Sequence, residues 1–141
     1  MTNYYIPKAG LKELKEIPEG ATKVYLYDNE LTELPEIPSS VKILDVKNNK
    51  LTTLGELPEG LEELYCSGNK IPLEEFENLP NSLLILEGEG EFDFGGYDPK
   101  DILEDILGEN WPILDIYSTY ETSEGYFFKF KAYSDKYQFK S

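Results

Sequence analysis

The stretch Leu31-Thr32-Glu33-Leu34-Pro35-Glu36-Ile37-Pro38 returns twenty residues later as Leu51-Thr52-Thr53-Leu54-Gly55-Glu56-Leu57-Pro58. Each copy leads into a strand-like run that ends in asparagine, so that Asn29, Asn49 and Asn69 share the same spacing. A fixed period of this length marks a stack of similar turns, none of which buries its apolar face alone. In register, Val24 and Leu26, Leu44 and Val46, and Leu64 and Cys66 take equivalent inward positions, with Tyr4 and Ile6 one period earlier. Leu83 and Leu86 continue the series after a longer repeat, since Pro58 and Pro80 are 22 residues apart. The reading predicts about five stacked turns, above the minimum of about three for a stable stack. Ala9 and Glu91 stand where asparagine is expected, which marks the outer turns as atypical caps.

Alternate side chains of a strand point to opposite faces, so the Leu, Val and Cys set fills a core beneath a parallel ladder. Each asparagine is expected to turn its amide inward and bond backbone groups of the adjoining loops. Pro18, Pro35, Pro38, Pro58 and Pro80 favour extended backbone, so the convex side is expected to lack helices.

The pattern Leu-x-x-Leu-Pro-x-Leu-Pro-x-x-Leu-x-x-Leu-x-Val-x-x-Asn-x-Leu, read from Leu31 through Leu51 with Ile37 and Val41 as variants, resembles the leucine-rich repeats of bacterial secreted effectors. The resemblance covers about residues 4 to 90. It implies a solenoid whose concave face is a recognition surface. Some of those proteins append a cysteine-dependent ubiquitin ligase domain. Here the one cysteine, Cys66, occupies an inward slot and reads as a small buried hydrophobe.

Composition narrows the chemistry. The chain of 141 residues has no histidine, and all 13 of its basic residues are lysine. It therefore lacks the commonest general base and metal ligand, and also the bidentate anion clamp that arginine supplies. No enzymatic activity, cofactor or metal site is expected. Lys100 stands where a helix-loop-helix calcium loop needs its bidentate glutamate. The formal charge of −15 is divided between both parts of the chain, with 17 acidic residues against 8 lysines in residues 1–90 and 11 against 5 in residues 91–141. Such a field repels nucleic acid and anionic lipid and favours a basic protein partner. A lone cysteine forms no internal disulfide, the N-terminus lacks a basic region followed by an apolar run, and no stretch has membrane-spanning length. These features predict a cytoplasmic protein, with a monomer favoured.

The residues between the leucines form the candidate site. A central column reads Tyr5, Tyr25, Asp45, Tyr65 and Glu87, flanked by Asn3, Lys23, Ile43, Glu63 and Ile85 and by Pro7, Tyr27, Lys47, Ser67 and Glu89. The partner-binding set is Tyr5, Tyr25, Tyr27, Asp45, Lys47, Glu63, Tyr65 and Glu87. Tyrosine suits such a face because it offers large contact area with little rotamer entropy to lose.

Beyond about residue 90 the repeat stops. The run from Glu87 to Tyr97 reads as an irregular acidic connection, and Asp98-Pro99 opens a helix that Gly108 stops after Leu107. Ile102, Leu103, Ile106 and Leu107 make its apolar stripe. Ile113–Tyr120 and Tyr126–Tyr133 read as a hairpin, with a third short strand at Tyr137–Lys140 after a turn at Ser134. Phe128 and Phe130 share one face and Lys129 and Lys131 the other. The predicted fold class is α+β: a repeat solenoid over residues 1–90, closed by a helix and antiparallel strands over residues 91–141. The expected function is non-catalytic recognition of a protein partner through the concave face. The alternative is an acidic nucleic-acid mimic, of the phage anti-CRISPR or anti-nuclease kind, that occupies a basic groove.

Overall fold

The computed structural model describes residues 2–92, 98–122 and 125–137. Five short parallel strands form where the inward apolar residues recur: β1 (Thr2–Tyr5), β2 (Ala21–Tyr25), β3 (Ile43–Asp45), β4 (Glu63–Tyr65) and β5 (Ile85–Phe92). Val24, Leu44, Leu64 and Leu86 are register partners and are wholly buried. Leu31, Leu51, Val41 and Leu61 fill the same core from the connecting segments. The connections between these strands make a solenoid of about four turns instead of the expected five. The last parallel strand starts no further turn, because β7 (Gly125–Tyr133) pairs with it antiparallel.

A left-handed backbone position follows each of the first four strands, at Lys8, Asp28, Asn48 and Gly68, whose φ values are 54°, 58°, 57° and 76°. The next residue in the middle turns is the repeated asparagine, and its side chain ties one turn to the preceding one. Asn49 Nδ2 donates to the carbonyls of Leu26 and Val46, and its Oδ1 accepts from Leu31 N at 3.0 Å. Asn69 repeats the arrangement with Val46, Cys66 and Leu51. Asn29 bonds Ala9 N and Leu11 N, so the first turn is served from its neighbour and needs no asparagine at position 9.

Two sequence expectations fail around the last turn. The stretch from Glu87 to Phe92 is not an irregular connection but the continuation of β5, and the rest of the expected connection, 93–97, lies outside the described residues. Its glycines are small for a packing reason: a Cβ on Gly88 would lie 2.9 Å from Phe130 Cζ, and one on Gly90 2.7 Å from Phe128 Cζ. The convex side also carries helix. Leu73–Asn78 forms a 3₁₀ helix within the lengthened repeat, and buries Leu73 and Phe76, three residues apart. That spacing places both on one side of a helix with three residues per turn.

The C-terminal region extends the same sheet. Helix α1 (Pro99–Leu107) starts with the Asp98 side chain accepting from Lys100 N at 2.9 Å and ends at Gly108, φ 86°. It contacts the 3₁₀ helix and β6 (Ile113–Thr122), and buries Leu103. Strands β6 and β7 form the expected hairpin, and the sheet order is β1-β2-β3-β4-β5-β7-β6. Phe128, Phe130 and Ala132 point into the core and cover the end of the solenoid. A register shift between Tyr117 and Tyr120 inserts an extra residue into β6. The bulge brings Tyr120 opposite Phe127, where the two rings stack at 5.3 Å. A turn at Ser134 is present, with Tyr137 N bonding the Ser134 carbonyl. The expected third strand falls largely on residues 138–141, outside the described residues. Among the described residues no helix is long and apolar enough to cross a membrane.

Candidate functional site

Residues that alternate with the buried leucines lie on the opposite face of the sheet, in the columns the spacing predicts. Tyr5 registers with Tyr25, Tyr25 with Asp45, Asp45 with Tyr65, and Tyr65 with Glu87. The face does not stop there: Glu87 registers with Lys131, and Lys131 with Asp115. A parallel flanking row passes from Glu89 to Lys129 and Tyr117.

Two groups of side chains emerge. At the β1 end, the Tyr5 ring meets Tyr25 and Tyr27 edge-on, with centroids 5.7 and 6.2 Å apart. The hydroxyls of Tyr5 and Tyr27 share a hydrogen bond of 2.9 Å. This bond, with lesser contributions from Asp45 and Asp28, pushes the Tyr27 phenol up to about 12. Tyr5 is 61% exposed, so this end offers an aromatic surface already ordered by its own contacts.

Nearer the sheet centre, Tyr65 donates to Glu63 at 2.6 Å and lies between the ammonium groups of Lys47 and Lys131, 5.8 and 6.0 Å from its centroid. Burial, then Glu63, raises its phenol pKa. Ser67 donates to Glu87 at 2.6 Å. Tyr117 contacts the same carboxylate, and burial followed by Glu87 pushes its phenol up to about 12. Glu89 is raised by burial, against the opposing effects of Lys129 and the Gly68 N–H.

Asp45 does not stand out as a contact residue. It is 8% exposed, and its carboxylate accepts from Lys47 N and pairs with Lys47 Nζ at 3.8 Å. The other seven candidate residues are half-buried or exposed on the face. Sequence reasoning places Lys129 and Lys131 on the face opposite Phe128 and Phe130 but leaves them, with Tyr117, outside the partner-binding set, because the simplest role for the tail is a cap. The signal was the alternation of Lys129 and Lys131 with the core phenylalanines.

Burial pushes the Asp45 carboxyl upward most, and Lys47 opposes this. A folded-state pKa above the unfolded value means that this group subtracts stability as pH rises from the unfolded pKa through the folded one. Asp45→Asn is therefore expected to raise the thermal midpoint at pH 7. The advantage should shrink as pH falls and vanish by about pH 3, below the unfolded value of about 3.9, where aspartate is protonated in both states. A wild-type protein more stable than the variant at pH 7 would contradict this.

Cys66 is buried, its thiol contacts the Glu87 carbonyl, and burial raises its pKa, which suppresses the reactive thiolate. Among the described residues, no group of three or more Cys, Asp or Glu is placed to hold a metal ion. The fold and this face define a class of molecule: a capped, parallel-strand solenoid with an aromatic and charged open surface. Compared with family models, curated proteins and solved structures, the chain matches none.

Proposed function

We propose that this protein is a non-catalytic recognition module of the leucine-rich-repeat kind, which binds a partner protein through the concave sheet face and blocks it sterically. The repeat assignment is supported by the twenty-residue period and by the asparagine bonds that join successive turns. The observation that carries the binding reading is the ordered cluster of Tyr5, Tyr25 and Tyr27, continued by Tyr65 between two lysines. Aromatic side chains held in place before binding lose little entropy on contact, which is the usual composition of an energetic hot spot. A partner with basic patches fits the overall charge of −15, and a cytoplasmic setting fits the lone buried thiol.

Charge on the face itself is mixed. Asp45, Glu63, Glu87, Glu89, Glu91 and Asp115 are interleaved with Lys23, Lys47, Lys129 and Lys131. Most of the net charge therefore lies elsewhere, and the nucleic-acid-mimic alternative would have to use another face. The double variant Tyr25→Ala, Tyr65→Ala is expected to weaken partner binding by about a thousandfold, the loss of two hot-spot residues at about 2 kcal/mol each, while its far-UV dichroism stays native. Retained affinity would remove the concave face as the site. The same titration run from low to moderate salt separates the alternatives: a charge mimic loses affinity steeply, whereas an aromatic face loses little.

A further inference from the structure

We propose that the outer edge of β6 accepts an extended, basic segment of a partner protein as an added strand. This rests on the protein-binding reading above but uses a different surface. Among the described residues, β6 has β7 along one side and no strand along the other. Natural sheet edges are commonly blunted by short length, lysine, proline or a bulge. β6 (Ile113–Thr122) contains neither lysine nor proline, and its bulge lies after Tyr117, which leaves Ile113–Tyr117 regular. The β1 edge at the far end, Thr2–Tyr5, carries no carboxylate.

Both faces of the β6 edge are suited to a strand partner. On the open face, Ile113 and Tyr117 are 41% and 37% exposed, and Asp115 stands between them. On the core side, a groove of about 400 Å³ lies between the edge and the start of α1, lined by Leu114, Ile116, Thr119, Pro99, Asp98 and Lys100. The bulge after Tyr117 interrupts the regular strand, so Ile113–Tyr117 is the segment able to pair in register. An incoming strand would place alternate residues on each face. Those beside Asp115 would be basic, because opposite charges on neighbouring strands attract, and those facing Leu114 and Ile116 would be apolar. A second copy of the chain is a poor occupant, since each carries −15.

The probe is an acetylated, amidated heptapeptide of alternating valine and lysine, with a valine–glutamate heptapeptide as control. Amide hydrogen exchange of the whole chain is followed at 150 mM salt. With the lysine peptide, exchange at Ile113–Tyr117 is expected to slow by about tenfold or more, as ladder bonds protect amides from opening, while β1 is unaffected. Asp115→Lys, an exposed substitution, is expected to abolish protection by the lysine peptide and confer it on the glutamate peptide. Asp115→Asn should weaken the first without conferring the second. Unchanged exchange at Ile113–Tyr117, equal protection by both peptides, or protection indifferent to Asp115 would overturn the proposal. The Tyr25→Ala, Tyr65→Ala variant keeps the edge effect if the edge is the site. Loss of partner binding in that variant without any edge protection leaves the concave reading standing and removes only this one.

Discussion

Asn49→Ala is expected to cost about 2–4 kcal/mol, because it leaves one buried N–H without a partner, at about 1–3 kcal/mol, and removes further hydrogen bonds worth about 1 kcal/mol each. The stranded group is the Leu31 N–H, whereas the carbonyls of Leu26 and Val46 lose one of two donors and keep the amides of Asn29 and Asn69. Asn49 is buried, so water does not reach the site to replace its amide. A loss of this size is a large part of the stability of a domain, about 5–15 kcal/mol. The neighbouring Asn48→Gly supplies the control. Asn48 is exposed, its backbone has φ 57°, and its side chain bonds the half-buried Asp28 carboxylate at the surface, so glycine there should change stability by less than about 1 kcal/mol. Urea denaturation of both variants tests the assignment. Equal midpoints would mean that the asparagine column does not hold the turns together.

Phe130→Ala is the second large effect, at about 3–5 kcal/mol for truncating a fully buried aromatic ring. Phe130 meets Phe76 of the 3₁₀ helix edge-on at 5.8 Å and Phe128 at 6.0 Å, and its ring fills the space left by Gly88. The loss falls on the junction between solenoid and cap. In a stack where each turn contacts only its neighbours, damage of this kind stays local. Amide exchange should therefore accelerate across β5, β7 and β6 and remain slow in β2 and β3. Uniform acceleration along the chain would instead show that cap and solenoid unfold as one unit.

The strand register was legible because both the spacing and the chemistry repeat. Leucines at fixed intervals require the same buried position each time, and the asparagine at the end of each run has only the backbone of adjoining turns to satisfy it. The burial of Cys66 followed from the same register. Helix α1 was legible from its ends, since Asp98, Pro99 and Gly108 carry capping chemistry that tertiary contacts did not override.

The remainder depended on residues distant in sequence. Gly88 and Gly90 looked like loop formers, yet they are strand residues whose missing side chains admit Phe130 and Phe128, which lie some 40 residues further on. The 3₁₀ helix was hidden because a lengthened repeat does not state how its extra residues are used. Asp45 sat in the correct column, but the depth at which Lys47 draws it into the surface is a property of packing. The extension of the open face through Lys131 and Asp115 depends on β7 lying beside β5, and neither strand specifies that pairing by itself.

The central claim is that a partner is held on the sheet face opposite the leucine core. It is tested most directly by placing a photo-crosslinking phenylalanine analogue at Tyr25, Tyr65 or Lys131, and separately at Glu16, Glu36 or Glu56 in the connecting segments. The account predicts that the partner crosslinks from the first three positions and not from the second three. Crosslinking only from Glu16, Glu36 or Glu56 would contradict it and move recognition to the acidic outer side.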